Sequence, residues 1–474
     1  MSAHLRKFAW LAFAIAWVPP DIAAAAVPVD LSVRRAVEIA LAANRSLVVS
    51  RLNYQSEESG LAAARSEFEL KLVPTTTFGT ISNSAFAPGA TGSNNSIGVQ
   101  VMKKFEPGTT ISIGPSWNRS GDVTNQTLNI GVTQPLLKGF GSDVNLDGVR
   151  RAQFAVDSAG RSLEQARVNT ALEVIGAYYE AIKQAQFADL NDALAERLRR
   201  HALIAQGKER VGLASPMDTY RAQIRLKDAE DAANQGRNAA VAAKNQVKLM
   251  LNLGLDSDIR LAPPEPPELG SPNMEEDALS RRAELVQLRA EIEEAKRAAT
   301  VAANALLPDV SLRWLQGQAV TVQPVFAQVL PTTQRQSSIF LQVTSDLYRT
   351  TEKANYRRAL LRVESLSVSL ETKSAEIRRQ VRQQLALIEE AKQRVVLRKE
   401  QIRQAEGKLA LAEVKFAHDM ADNFAVIEAE GELQRARSNL FATVADVAIG
   451  IYNLKAIAGR LLPSFSGNQS ALSN

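Results

Sequence analysis

The amino-acid sequence predicts a mostly α-helical chain of long coiled-coil hairpins with membrane β-strands that form a β-barrel shared between copies, in two internal structural repeats. Three observations predict this fold class. Apolar residues recur every three or four positions over long proline-free stretches, shorter segments alternate apolar and polar residues, and both patterns occur twice. Aromatic residues make up only 5% of the chain, which is typical of long helices rather than of a compact enzyme core.

The N-terminus carries an export signal. Arg6 and Lys7 precede an apolar run, and Ala23–Ala26 supply the small residues of a cleavage site. The apolar run is too short to cross a bilayer as a helix, so we interpret residues 1–26 as a secretory signal peptide. The chain contains no cysteine, which excludes disulfides and lipidation at a cysteine.

The remaining chain is an internal duplication. The segment VRRAQF (149–154) aligns with YRRALL (356–361), and Leu47 with its neighbour Val48 aligns with Leu285 and Val286. A proline-rich stretch between the two halves is incompatible with a helix. The predicted domains are a first repeat (27–255), a proline-rich linker (256–275), a second repeat (276–460) and a flexible C-terminal tail (461–474).

Six segments have the alternating pattern of barrel strands. Ile97, Val99 and Val101, for example, alternate with polar or small residues. Alternation over about ten residues is typical of a transmembrane β-barrel, and the alternative is one exposed sheet of a soluble sandwich. The signal peptide, the absence of cysteine and the flanking helices favour the barrel. The predicted strands are 72–82, 96–104, 110–118 and 126–135 in the first repeat, and 310–320 and 338–347 in the second.

The stretch GVTQPLLKGFG (131–141) joins a strand to a helix. Its first residues continue a period-2 pattern, Pro135 ends backbone donation to a sheet, and Gly139 and Gly141 follow. A long helical pattern begins immediately afterwards. We therefore predict a strand-to-helix bend at Pro135, Gly139 and Gly141.

Two long helices set the predicted length of the molecule. Residues 145–210 contain no proline, and about 66 helical residues span roughly 99 Å. Residues 352–415 form a second helix of similar length, and shorter helices at 46–70 and 217–252 together match one long helix when stacked end to end. One chain has too few strands to close a barrel, and the apolar stripes of its helices need partner helices. A three-fold assembly would close the barrel and cover these stripes.

The charge pattern and the motifs argue against an enzyme, a metal site and a nucleic-acid binder. The net charge is +5 with the signs mixed along the helices, whereas a nucleic-acid binder concentrates its basic residues on one patch. The chain has no cysteine and no pair of histidines four residues apart, which argues against a zinc site. No G-x-S-x-G, Walker A or G-x-G-x-x-G motif occurs. We therefore expect no cofactor and no catalytic residue.

Several segments resemble, in order, the outer membrane efflux proteins of the TolC type. Residues 31–47 resemble that family's opening helix pair, and residues 452–459 its terminal helix. The other matching segments are ALSRRAELVQLRAEIEEAKRAATVAANALLPDVSL (278–312), QPLLKGFG (134–141), VGLASPMDTYRAQ (211–223) and KFAHDMADNFAVIEAE (415–430). The order, spacing and duplication of these segments carry the resemblance.

The resemblance implies a homotrimer in the Gram-negative outer membrane, with one shared β-barrel in outer-membrane lipid over a long periplasmic helical tunnel. Such a channel would serve tripartite efflux or type I secretion, conducting cargo passively from a periplasmic adaptor and an inner-membrane pump. Family members usually contribute four strands each, and the additional hairpin at 96–118 either widens the barrel or folds against it. The alternative function is a secreted, non-pore coiled-coil structural protein. The sequence leaves the cargo open.

The resemblance places adaptor contacts at the two helical hairpin tips. Val211, Gly212 and Leu213 match the family motif at the first tip, where Ser215, Pro216 and Asp218 form a helix cap. The second tip departs from the motif, since His418, Asp419 and Met420 occupy its place. The alternative for the first tip is a helix–turn–helix with a purely structural role, and any docking through the second tip would use different chemistry.

Acidic residues near the second tip are candidates for an aperture gate. The resemblance implies acidic rings on the helix after this tip, and Glu428 is the acidic residue that remains at those positions. We expect Glu428, with Asp419, to form an acidic ring that favours cations. The alternative is a solvated charge near a helix end.

Overall fold

Two long helical hairpins with a sheet at one end make up the chain. The computed structural model describes residues 29–82, 91–120, 123–212, 215–264, 267–269, 273–325, 328–418, 420 and 423–466, and the predicted signal peptide lies outside these. The elements are β1 (Val29–Leu31), α1 (Val33–Ala43), α2 (Arg45–Arg65), β2 (Lys71–Ser82), β3 (Thr91–Lys104), β4 (Thr110–Ser120), β5 (Val123–Pro135), α3 (Ser142–Asn145), α4 (Asp147–Arg210), α5 (Pro216–Met250), β6 (Ile259–Leu261), α6 (Met274–Arg281), α7 (Ala283–Asn304), β7 (Asp309–Val325), β8 (Gln328–Thr344), α8 (Thr350–Ala417), α9 (Asn423–Ile457) and α10 (Pro463–Ser466).

The large sheet has the strand order β2-β3-β4-β5-β7-β8, and all neighbouring strands are antiparallel. The hairpin β3–β4, which the sequence could not place, pairs with β2 on one side and with β5 on the other. This hairpin therefore extends the sheet and does not fold against it. Within the described residues, β2 and β8 are the two edges of the sheet.

Most strands are longer than predicted at the ends distant from the helices. β3 begins at Thr91 instead of 96, β7 ends at Val325 instead of 320, and β8 begins at Gln328 instead of 338. The predicted end of β8 at 347 is also wrong, since the strand stops at Thr344. In residues 93–95 of β3 and 331–337 of β8 both faces of the sheet carry mostly Ser, Thr, Asn and Gln. The alternation that identifies a strand therefore fades while the backbone pairing continues.

The two faces of the sheet differ in chemistry. One face carries large apolar residues, and the register aligns Ile97 with Trp117 and Ile113 with Ile130 across strands. The other face carries small polar residues, among them Ser116, whose hydroxyl lies 2.5 Å from that of Thr127. We call these the apolar face and the polar face.

The polar face is the crowded one. A Cβ at Gly131 would lie 2.9 Å from Ser112 Oγ, and one at Gly98 would lie 3.1 Å from Thr75 Oγ1. Trp117 on the apolar face is exposed. Since a curved sheet crowds side chains on its inner surface, the sheet curls towards its polar face.

The helices form a layer four helices wide. Close to the sheet, α2, α4, α7 and α8 pack side by side, and in the distal half the order is α5, α4, α9 and α8. The 64-residue α4 and the 68-residue α8 run through both halves. Shorter helices stacked end to end therefore match the long ones, as the sequence predicted.

One helix in the described part, Phe424–Ile457 within α9, is long and apolar enough to cross a membrane by length and composition alone. This helix packs between α4 and α8, and its buried residues include Ile451 and Leu454. We therefore assign it to the helical layer.

A hydrophobic core lies midway along the helices, where α1, the middle of α4 and the end of α9 meet. The hydroxyl of buried Tyr178 lies 2.7 Å from the Leu31 carbonyl oxygen and 2.6 Å from that of Ala262, and donates to one at a time. Burial raises the pKa of Tyr178 to about 12, so the hydroxyl remains a donor. Tyr178 thereby anchors the small parallel sheet formed by β1 and β6.

Two predicted segment boundaries are wrong. The linker predicted at 256–275 contains strand β6, and α6 already begins at Met274. The tail predicted as flexible from 461 is packed as far as Phe465: Leu461 is 1% exposed, and Phe465 stacks on Tyr452 with ring centroids 6.1 Å apart. Both errors involve partners distant in the sequence, and local composition does not reveal such partners. Residues 467–474 lie outside the described residues.

The strand-to-helix bend lies where the sheet meets the helices. Pro135 is the last residue of β5, and Gly139 and Gly141 have φ angles of +79° and +101°. Asn304, at the end of α7, accepts a hydrogen bond from the Gly139 backbone N–H at 2.8 Å. The Asn145 side chain donates to the Gly139 carbonyl oxygen at 2.7 Å. The bend is thus held by side chains from both repeats.

The turn between β3 and β4 packs directly against this bend. The Gly141 N–H donates to the Pro107 carbonyl oxygen at 3.2 Å. Gly108 is buried with a φ of +97°, and a Cβ there would lie 2.7 Å from the Gly139 carbonyl oxygen. Only glycine fits this position without displacing the bend.

We predict that Gly108→Ala destabilises the protein by about 1–3 kcal/mol, because the substitution combines left-handed backbone strain with a clash against the bend. The measurement is thermal unfolding of the purified protein in detergent. Gly148→Ala is the matched control, since a Cβ at this helical position meets nothing within 4 Å and should leave stability unchanged or slightly raised. Equal unfolding temperatures for the two variants would contradict the proposed packing.

Candidate functional site at the helix tips

The first tip joins α4 to α5 at the end distant from the sheet. Gly212 adopts a φ of +76°, and its N–H donates to the Glu209 carbonyl oxygen at 2.9 Å. Its neighbour Val211 is 69% exposed. Leu213, the third predicted contact residue, lies outside the described residues. The tip therefore presents an apolar side chain on a turned, left-handed backbone.

The start of α5 is firmly capped. The Ser215 hydroxyl accepts from the Met217 N–H at 3.2 Å, and the Asp218 carboxylate accepts from the Ser215 N–H at 3.3 Å. Pro216 occupies the first helical position. These contacts satisfy backbone donors at the helix start and fix the direction in which the chain leaves the tip.

The second tip joins α8 to α9. His418 ends α8, and its ring Nδ1 lies 2.9 Å from the Val414 carbonyl oxygen. Met420 is 69% exposed, and its N–H donates to the Lys415 carbonyl oxygen at 2.8 Å. Asp419 lies outside the described residues. Like the first tip, this one presents an exposed apolar side chain.

The two hairpins touch near their tips. The Lys208 ammonium nitrogen of α4 lies 4.3 Å from the centroid of the Phe416 ring of α8. The His201 ring packs edge-on against the same phenylalanine, with centroids 6.5 Å apart. Phe416 of the second hairpin thus contacts two side chains of the first hairpin.

Glu428, the predicted gate residue, is exposed on α9. It borders a groove between α5 and α9 together with Asp228, Arg225 and Arg435. Glu428 is therefore one member of a mixed-charge groove within a single chain.

Glu430, two residues further along α9, is the buried acid that the sequence did not single out. Its side chain is 2% exposed, and its carboxylate oxygen lies 3.7 Å from Arg197 Nε and 3.5 Å from His201 Nε2. Both partners are on α4, so this polar cluster, which contains the Arg197–Glu430 ion pair, connects the second hairpin to the first.

A signal for Glu430 was present in the sequence. Val426 and Leu433 are buried on the same helix, four residues before and three residues after Glu430. Residues at these spacings share one helix face, whereas Glu428 is rotated by about 200° from Glu430. Placing Glu430 on the apolar stripe would have marked it as an acid in need of a buried partner.

The described residues show no group of three or more histidine, aspartate or glutamate side chains that could hold a metal ion.

Comparison with known proteins shows similar folds at low sequence identity. The chain is similar to a membrane protein from Pseudomonas aeruginosa (15% identity, TM-score 0.71, 91% of this chain and 94% of that one). It is also similar to the CmeC outer membrane channel of Campylobacter jejuni (13% identity, TM-score 0.69, 90% of this chain and 86% of that one). A third similar structure is the open state of the MtrE outer membrane channel of Neisseria gonorrhoeae (16% identity, TM-score 0.67, 90% of this chain and 89% of that one). The predicted fold class is confirmed.

In sequence, the chain is 30% identical to Protein CyaE of Bordetella pertussis over 167 residues. The matched part spans about a third of CyaE, since it covers 34% of either protein. No family model matches the chain.

We predict that Glu430→Ala destabilises the packing of the two hairpins by about 1–3 kcal/mol, because Arg197 and His201 lose the carboxylate that they contact across the helices. Arg197 remains partly exposed and can recover some solvation, which limits the loss. Chemical unfolding combined with limited proteolysis of the tips measures the effect. Glu432→Ala, which removes an exposed carboxylate paired with Lys408, is the control and should change stability by less than about 1 kcal/mol. An equal loss of stability in both variants would contradict the proposed role of Glu430 in holding the two hairpins together.

Proposed function

We propose that the protein is a trimeric outer-membrane channel of a tripartite efflux or type I secretion system. The proposal rests on the fold of the chain, which is that of the TolC-type outer-membrane channels. In this proposal cargo passes from an inner-membrane pump and a periplasmic adaptor through the helical tunnel and out of the barrel. The channel performs no chemistry of its own.

The observation that carries the proposal is the two-faced sheet at the end of the long helices. In hydrocarbon every backbone polar group must be paired within the protein, so strands cross a membrane only as a closed barrel. Six strands curled towards a polar face leave two edges to be paired, and further copies of the same chain supply the missing strands. The apolar face then meets lipid, and the polar face meets water.

The proposed orientation follows from the lengths of the elements. The 64 residues of α4 span roughly 96 Å, far more than the roughly 30 Å of a hydrocarbon core. We therefore place the sheet in the Gram-negative outer membrane and the helices in the periplasm, with the two tips facing the inner membrane.

The exposed apolar side chains at the tips support a docking role. The side chains of Val211 and Met420 are exposed and lie outside the hydrophobic core. The capped start of α5 holds the first tip in a fixed shape. We assign adaptor contact to Val211, Gly212 and Leu213, and to His418, Asp419 and Met420 at the second tip. The aperture gate would be formed by Asp419 and Glu428.

The rival function, a secreted coiled-coil structural protein without a pore, is less favoured. In such a protein the apolar face, with Trp117, Leu341 and Val343 exposed, would face water. An exposed apolar face next to two unpaired sheet edges is an aggregation hazard for a soluble protein.

We predict that a photoreactive residue in place of Val211 captures a periplasmic adaptor in cells. The captured protein would be identified by mass spectrometry. Val241, an exposed residue in the last third of α5 and distant from the tip, is the control position and should yield only copies of this chain. Capture of the same adaptor at both positions, or at neither, would contradict the tip assignment.

We also predict that Glu428→Gln lowers the cation preference of the channel, because three copies of the carboxylate would ring the aperture. The measurement is the reversal potential in a salt gradient across a planar bilayer. Glu58→Gln, an exposed substitution on α2 near the sheet, is the matched control and should leave selectivity unchanged. Unchanged selectivity in Glu428→Gln would remove this residue from the gate.

A further inference from the structure

We propose that three copies of this chain close an eighteen-stranded barrel, in which β8 of each copy pairs with β2 of the next. The proposal rests on the trimeric channel proposed above. In this proposal each edge of the sheet pairs with the opposite edge of a neighbouring copy of the chain. The number of strands, eighteen, differs from the twelve that the family resemblance implies.

The directions of the edge strands permit such a ring. β2 starts at the helices and runs away from them, whereas β8 returns to the helices and leads into α8. All strand pairs within the sheet are antiparallel, so β8 and β2 of neighbouring copies would also meet antiparallel. A head-to-tail contact of this kind closes into a ring when copies are related by rotation.

The side chains on the two edges match. On the apolar face, β2 presents Leu72 and β8 presents Leu341 and Val343, all exposed in the single chain. On the outer part of the polar face, β2 presents Thr75 and Thr77, and β8 presents Gln336 and Ser338. Nearer the helices this face also carries Val73 and Phe340. A β8–β2 joint would therefore continue the apolar face and the outer part of the polar face, and it would pair the backbone groups that the two edges otherwise leave unpaired in lipid.

The width of the helical layer favours eighteen strands over twelve. Next to the sheet each chain contributes four helices side by side, so three chains give a ring of twelve. At about 9 Å between neighbouring axes, that ring has a circumference of about 108 Å and a diameter of about 34 Å.

The corresponding barrel sizes follow from strand geometry. Eighteen strands spaced about 4.8 Å apart and tilted by about 40° give a diameter of about 36 Å. Twelve strands with the same tilt give only about 24 Å. The eighteen-stranded barrel thus fits the helical ring beneath it, and the hairpin β3–β4 supplies the additional width.

The lumen of this barrel would be wide and nearly uncharged along its outer part. Allowing about 5 Å for side chains on each wall leaves an opening of about 26 Å. The polar face of β4 illustrates the lining, which consists of Ser112, Gly114, Ser116, Asn118 and Ser120. Such a surface passes bulky hydrophilic cargo without discriminating by charge.

The decisive experiment is an electron cryomicroscopy map of the full-length protein purified from membranes in detergent or nanodiscs. We expect a three-fold particle with eighteen strands in the barrel wall. A trimer with twelve strands in its wall and β3–β4 folded inside or outside would overturn this proposal and leave the trimeric channel intact. A particle without three-fold symmetry would overturn both.

Disulfide scanning provides a second test that needs no map. The chain has no native cysteine, so Thr77→Cys can be combined in turn with cysteine at Gln334, Gln336 or Ser338. At one of these registers we expect crosslinked dimers and trimers in non-reducing gels, because paired strands bring Cα atoms within the 4.4–6.8 Å that a disulfide requires. Ser112→Cys in place of Thr77→Cys is the control and should give none, since β4 lies inside the sheet. Absence of crosslinks at every register would contradict the β8–β2 joint.

Discussion

Strands in a sheet lie about 4.8 Å apart and packed helices about 9 Å apart, and this chain must join one set to the other within a few residues. A layer of four helices is about 36 Å wide, whereas four strands tilted by about 40° cover only about 25 Å. Six strands cover about 38 Å. The hairpin β3–β4 therefore brings the sheet to the width of the helices on which it stands.

This constraint explains why the junction is so tightly organised. The backbone leaves β5 through two glycines of positive φ, and the Asn304 and Asn145 side chains hold the intervening peptide groups. The Arg349 guanidinium, at the start of α8, donates to the Leu306 carbonyl oxygen at 2.6 Å and ties the second junction in a similar way. The turn of the additional hairpin rests against the first bend through Gly108. Sheet and helices are thus positioned by one shared network.

Beyond the junction the helices hold together through close contact of small side chains. The buried residues between α4 and α5 are mainly alanines: Ala195, Ala202, Ala205, Ala222, Ala229 and Ala233. Each contributes little hydrophobic area, so stability accumulates over the length of the hairpins. Alanine packing also discriminates weakly between registers. We infer that the Glu430 cluster, with Arg197 and His201 at fixed positions on α4, helps to specify how the two hairpins align.

Much of this structure was predictable because the signals are local. Proline-free periodicity predicted α4 and α8 to within a few residues, and Pro135 with the following glycines predicted the bend. Strands with an apolar and a polar face were found, but their outer ends, where both faces are mostly polar, were missed. At the tips, the cap at Ser215 was evident from residue types, whereas the burial of Glu430 was not.

The sequence by itself determined the repeat, the lengths of the long helices and the two-faced chemistry of the strands, because periodicity and turn residues act within a few positions of the chain. Only the tertiary structure decided that β3–β4 belongs to the sheet, that β6 pairs with β1, and that Leu461, Leu462 and Phe465 pack on the core. These outcomes depend on partners that lie dozens to hundreds of residues away. No local pattern encodes which distant backbone or side chain will satisfy them.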